Sequence, residues 1–177
     1  HSGLLHYLKQ HEKEIGVAPM VDVAEYIKDN RSNAQQGKND KGLKDYYKNY
    51  FSIGVAVSQR DLTGDEAKFI LKNFNSLTPE NAMKMGPIHP KENEYYWKDA
   101  DSIVNFAQHH GLKVRGHNLC WHNQAPAWMF KDEEGKQVTK EVLLTRLKDH
   151  ITTDVGRYKG KIYSSDVVTD AITDDPG

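Results

Sequence analysis

The chain has 177 residues, with 24 Lys+Arg against 25 Asp+Glu and a formal net charge of −1. That balance carries no basic patch or charge block, which argues against nucleic acid and anionic membrane as partners. No apolar run reaches the length of a membrane span, the only cysteine is Cys120, and the apolar fraction of 37% is low for a complete globular domain, so the length fits one domain or part of a larger one.

The start, His1-Ser2-Gly3-Leu4-Leu5-His6, has neither a basic region nor a long apolar stretch, so no signal peptide is read there. A chain beginning at His fits a processed product, which is compatible with an extracellular or periplasmic protein. From His1 to Asn49 the sequence is polar, with a weak helical pattern at Leu4, Leu5 and Leu8 and a second apolar run from Val21 to Ile27. Asp29 to Asp40 reads as an exposed linker. Residues 1–49 are therefore expected to form a helical extension and linker, and residues 50–177 a separate domain.

From Tyr50 onward strand and helix patterns alternate. Phe51–Val57 is apolar and β-rich. Thr63-Gly64-Asp65-Glu66 has the form of a capping box, opening a helix with Phe69, Ile70, Leu71 and Phe74 turned inward. Asn75–Thr78 is a short strand. Asp99 or Asp101 then caps a helix carrying Ile103, Phe106, Ala107 and His110, which Gly111 stops. Leu112–His117 is a third strand. Thr139 starts a helix with Leu144, Leu147, Ile151 and Val155 at helical spacing, ended by Gly160. Ile162–Val168 is a fourth strand. This alternation predicts an α/β fold with parallel strands and helical crossovers. The polar clusters follow strands two, three and four, and such strand ends share one face, where binding and catalysis are built.

The richest cluster is Arg115 to Trp128, which packs two His, two Trp, two Asn and a Gln into one loop. Burying so many donors and acceptors unpaired would be costly. Flat aromatic faces among neutral amide and imidazole groups suit a ligand covered in hydroxyls, such as a sugar. His117 and His122 without a third ligand are weak evidence for a metal. His109-His110 reads as a solvated helix end, Trp97 as a structural plug, and Trp128 as packing or sugar contact in equal measure. Arg115 is a candidate for a buried ion pair, and Asp166 for a residue that holds neighbouring donors.

Four stretches together resemble the family-10 glycoside hydrolases, endo-β-1,4-xylanases built on a TIM (β/α)8 barrel. Phe51-Ser52-Ile53-Gly54-Val55-Ala56 resembles the first strand, Phe74 to Lys84 the second, Val114 to Trp128 the third, and Arg157 to Tyr163 the approach to the fourth. The resemblance runs from about residue 50 to the end and implies roughly the first four β/α units, a half barrel. It implies that Glu80, Asn81 and Lys84 bind sugar hydroxyls, and that His117 and Trp121 line the cleavage subsite with Gln124 nearby. The expected ligand is xylan or xylo-oligosaccharides, with no cofactor, because two carboxylates suffice for the chemistry.

Two departures qualify the activity. The family's Trp-Asp-Val-Val-Asn-Glu-Ala is here Ser165-Asp166-Val167-Val168-Thr169-Asp170-Ala171. Asp170 therefore stands at the acid/base position one methylene short, and Thr169 replaces an Asn that contacts the sugar. In addition, the family's nucleophilic Glu lies on a later strand with no matching motif here. The expectation is a retaining xylanase that is impaired or incomplete as this chain. Its alternatives are an inactive oligosaccharide-binding protein, or a fragment that assembles with a complementary half barrel or with itself.

Overall fold

The computed structural model describes residues 40–171. Packing divides the chain into His1–Asp40 and Lys41–Gly177, and only the second unit is described below. The helical patterns and linker expected ahead of residue 40 lie outside the described residues.

Four strands form one parallel sheet: β1 (Gly54–Val57), β2 (Ser76–Pro79), β3 (Lys113–Gly116) and β5 (Ser164–Ser165), in that spatial order. Gly54 pairs with Ser76, Leu77 with Val114, and Arg115 with Ser164. Sequential strands are neighbours and the connections carry helices, as a barrel wall requires. Helix α1 (Leu43–Tyr46) precedes β1, and α2 (Gly64–Asn73) joins β1 to β2. A short α3 (Met85–Ile88) and the longer α4 (Lys98–His109) join β2 to β3, and α5 (Lys140–Arg157) precedes β5. Leu77, Val114, Ile103, Val104, Ile88 and Ala107 form the core between the sheet and the helices. Among the described residues no helix is long and apolar enough to cross a membrane.

Several local expectations are corrected. The Thr63 side chain makes no cap bond on α2; instead Ser58 donates through both its N–H and its hydroxyl to Asp61 Oδ2, capping the short 3-10 turn Gln59–Leu62. These bonds hold the Asp61 carboxyl below its usual range. On α2 the buried residues are Ala67 and Ile70, whereas Phe69 is 58% exposed, with its ring edge-on to Phe74. Neither Asp99 nor Asp101 caps α4, whose N-cap position is Trp97. Asp101 is drawn away by Arg157 and by the Tyr158 hydroxyl, which donates at 3.0 Å. Trp97 stacks on Tyr95 with centroids 4.8 Å apart and lies under Arg157, a structural role as expected.

Helix α5 shows the largest difference. Thr139 caps it, accepting from Val142 N–H. Leu144 and Val155, expected inward, are 53% and 48% exposed, and the buried positions are His150, Asp154 and, just past the helix, Tyr158. Their spacing of four residues puts these three polar groups on one stripe facing the sheet. Leu144 and Val155 keep the helical spacing of a core stripe while facing outward, so periodicity alone reads an exposed face as core.

The fourth strand is interrupted. Ser164–Ser165 pairs with β3, Asp166 still exchanges backbone bonds with Gly116 and Leu119, and after Val167 β6 (Val168–Thr169) pairs in parallel with the short β4 (Cys120–Trp121). Gly111 ends α4 at φ 67°, with open space around the position of a Cβ. Gly111→Ala is therefore expected to cost about 1 kcal/mol, from the left-handed backbone alone. A shift of the urea midpoint measures it; an unchanged midpoint would show that the turn relaxes.

Candidate functional site: a polar cluster at the strand ends

The β2 end delivers Glu80, whose N–H donates to Val57 O at 2.9 Å and so prolongs the parallel ladder. Its carboxylate is exposed. Asn81 follows at the same edge, and its Oδ1 accepts from Lys84 Nζ at 2.8 Å and Gln124 Nε2 at 3.3 Å. Lys84 is buried, with its ammonium 4.7 Å from the centre of the Trp121 ring. A buried cation is tolerable here because an amide oxygen and an aromatic face share it. Gln124 is fixed in turn by its carbonyl, which accepts from Gly86 N–H at 2.7 Å. Asn81, Lys84, Trp121 and Gln124, from two separate loops, thus form one contact cluster.

Asn81→Ala removes the acceptor that both Lys84 and Gln124 use. Leaving the buried ammonium without it should destabilise the fold by about 1–3 kcal/mol. Chemical denaturation of the two proteins checks this, and equal stability would mean that Trp121 alone satisfies Lys84.

The β3 end holds His117, whose Nδ1 lies 2.8 Å from Asp166 Oδ2. Arg115 donates to Asp166 Oδ1 through Nε at 3.0 Å and through its terminal nitrogen at 2.7 Å. Burial works to raise the Asp166 carboxyl, but the hydrogen bonds from His117 and Arg115 outweigh it and keep it below its usual range. The ionised Asp166 fixes His117 Nδ1 as the donor and leaves Nε2 for other partners. Arg115 does form an ion pair, yet its side chain is about half exposed, so the pair is not the buried one expected.

Asn118, which sequence reasoning passed over, is buried and donates through Nδ2 to Thr169 Oγ1 at 2.7 Å. The signal was available only as one more Asn in a polar loop; its burial depends on the β4–β6 pairing. Thr169 therefore contacts protein, and the next residue, Asp170, is exposed with φ 53°. Trp121, Thr169 and Asp170 line one groove of about 730 Å³, whose other side is apolar, with Met129 and Leu147. The Trp121 indole N–H is buried without an acceptor from the protein. The groove presents the Trp121 ring, the Thr169 hydroxyl and the Asp170 carboxyl, a set that suits a polyhydroxylated ring.

Trp128 is committed to packing: its Nε1 donates to His89 O at 3.0 Å and its ring lies against His89. His109 and His110 are exposed at the end of α4. Among the described residues no group of three or more His, Cys, Asp or Glu is placed to hold a metal.

Comparison with known proteins places this geometry. Residues 42–177 match the model of glycosyl hydrolase family 10. The chain is 54% identical over 128 residues to endo-1,4-beta-xylanase B of Paenibacillus barcinonensis, covering 72% of this chain and 38% of the relative. It is 51% identical over 135 residues to an endo-1,4-beta-xylanase/feruloyl esterase of Xylanibacter ruminicola, covering 76% of this chain and 19% of that protein. The crystal structure of a Paenibacillus barcinonensis xylanase complexed with a conduramine derivative superposes with a TM-score of 0.75 at 50% identity, over 78% of this chain and 42% of that one. The chain thus spans less than half the length of these relatives, in agreement with a partial TIM barrel. On the matching model, the relatives and the parallel half-barrel, the chain belongs to glycosyl hydrolase family 10.

Proposed function

We propose that the chain supplies one wall of the catalytic domain of an endo-1,4-β-xylanase acting on xylan with retention of configuration. The observation that carries this is the joining of Asn81, Lys84, Trp121 and Gln124 into one hydrogen-bonded and cation–π cluster beside Asp170. In this reading Glu80, Asn81 and Lys84 hold sugar hydroxyls. His117 and Trp121, with Gln124, frame the subsite where the bond breaks. Asp170 gives a proton to the glycosidic oxygen, and a carboxylate outside this chain attacks the anomeric carbon from roughly 5–5.5 Å away. Activity is impaired by the short Asp170 side chain. The exposed stripe of Leu144 and Val155 on α5 is covered in the working protein by a complementary half barrel, and the enzyme acts outside the cytoplasm, where its polymer is found.

The test is to titrate xylo-oligosaccharides into the complete protein while assaying reducing-sugar release. Binding together with slow hydrolysis is expected. A second reading, an inactive oligosaccharide-binding protein, is favoured by the missing methylene at Asp170; saturable binding with no release would select it. Absence of both binding and release would sink the two readings together.

A further inference from the structure

The two segments that carry the site are not in simple register. Gly116 pairs with Ser165 and Cys120 with Val168, so the three residues His117 to Leu119 lie opposite the two residues Asp166 and Val167. Asp166 N–H donates to Gly116 O and Leu119 N–H donates to Asp166 O, each at 3.0 Å. His117 and Asn118 therefore share the place opposite Asp166. Two residues against one is the arrangement of a β-bulge, which is uncommon between parallel strands and serves to re-aim side chains beside active sites.

Here the bulge sends its two side chains to different partners. His117 meets Asp166 at 2.8 Å. Asn118, 2% exposed, donates through Nδ2 to Thr169 Oγ1 at 2.7 Å. The β4 and β6 strands have two residues each, so their ladder alone is a weak joint. The Asn118 amide adds a buried side-chain strut across it. Asp170 leaves the ladder directly after Thr169, exposed and at φ 53°, so its direction is inherited from Thr169. Trp121 is the register partner of Thr169, and the Trp121 ring and Asp170 line the same groove.

We propose that Asn118 is a positioning residue: placed by the bulge after β3, it holds Thr169 and so sets where the Asp170 carboxyl stands relative to the Trp121 ring. This role rests on Asp170 being the proton donor, as proposed above. Asn118 acts only through Thr169.

The test is kcat/KM, which reports the bond-breaking step, on aryl xylosides of graded leaving group. Wild type, Asn118→Leu, Thr169→Val and the double variant of the complete protein are compared. A misplaced proton donor harms poor leaving groups most. Asn118→Leu should lower kcat/KM on them by up to about 100-fold, the cost typical of a displacement of about 1 Å, with little change on good ones. Thr169→Val should show the same dependence, and the double variant no further loss, because both remove one bond. A loss uniform across leaving groups, or losses that multiply in the double variant, would overturn the role. Should Asn118→Leu not fold, Thr169→Ser is set against Thr169→Val. The serine keeps the acceptor and should be the faster of the two on poor leaving groups; equal rates overturn the role. Asp170→Ala separates the two ideas. If it matches wild type on poor leaving groups, the donor reading fails and this role with it. A large loss there, with Asn118→Leu unchanged, overturns the role of Asn118 alone.

Discussion

Asp170→Glu in the complete protein is expected to raise xylan hydrolysis by up to about 100-fold, the penalty typical of a catalytic group misplaced by about 1 Å. The gain should be largest on substrates with poor leaving groups, which depend most on proton donation. The backbone opposes the change. Asp170 sits at φ 53°, in the left-handed region where Asp and Asn are enriched and longer side chains are less at ease. That term is about 1 kcal/mol, against nearly 3 kcal/mol for a hundredfold rate factor. The longer side chain should therefore win in rate while stability falls slightly. Initial rates on a matched pair of aryl xylosides, read beside urea midpoints, separate the two effects. Unchanged rates would shift the blame to the neighbouring Thr169, whose Oγ1 accepts from Asn118 Nδ2.

The second large effect concerns the buried polar stripe of α5. Burial pushes the Asp154 carboxyl up from its ordinary 3.8 to about 6. The folded state thus holds its proton more tightly than the unfolded chain. This stabilisation is fully present below pH 3.8 and is lost as pH rises toward 6. His150 behaves oppositely: burial, then the neighbouring His89, push it down from 6.5 to about 4, with the Leu119 backbone pulling the other way. Its contribution is present above pH 6.5 and is lost as pH falls toward 4. Burial also depresses His89, whose Nδ1 lies 3.1 Å from that of His150, so it acts in the same direction as His150.

Between pH 4 and 6 the carboxyl offsets one of the two histidine contributions, so wild-type stability should rise only by the remaining histidine's share. Asp154→Asn exposes the histidine term, so stability should rise from pH 4 to 6.5. His150→Gln removes one histidine term, so stability at pH 6 relative to pH 4 should be lower than in wild type by the His150 contribution. Each change is expected to be about 1–3 kcal/mol, the upper figure being the full displacement and the lower allowing for hydration of the carboxyl. Urea midpoints at half-unit steps of pH measure both curves. A flat curve for Asp154→Asn would show that the histidines titrate normally despite their burial.

Much of the fold was legible because its causes are local. Alternating apolar runs, Thr139 as a cap and Gly111 and Gly160 as stops placed three of the four sheet strands to within a few residues and the long helices nearly end to end. The strand–helix alternation from Tyr50 onward anticipated both the parallel strands and the shared face on which the polar loops gather. Other features were illegible because they depend on distant partners. Phe69 and Leu144 carry the same apolar signal as Ile70 and Ile103, and only the packing decides which of them face a neighbour.

The same division runs through the site. Sequence alone determined the inventory: Glu80, Asn81, Lys84, His117, Trp121 and Gln124 on strand-end loops, and an Asp at residue 170 where a Glu is expected. Tertiary structure decided what these groups do to one another. It broke the fourth strand so that Val168–Thr169 pairs with Cys120–Trp121, engaging Thr169 with Asn118. It used Asp166 to orient His117, and it turned His150 and Asp154 inward in place of aliphatic residues. The reason is physical: a residue's chemistry is written in its own side chain, whereas its burial, its partner and its proton affinity are set by groups that only the folded chain brings within reach.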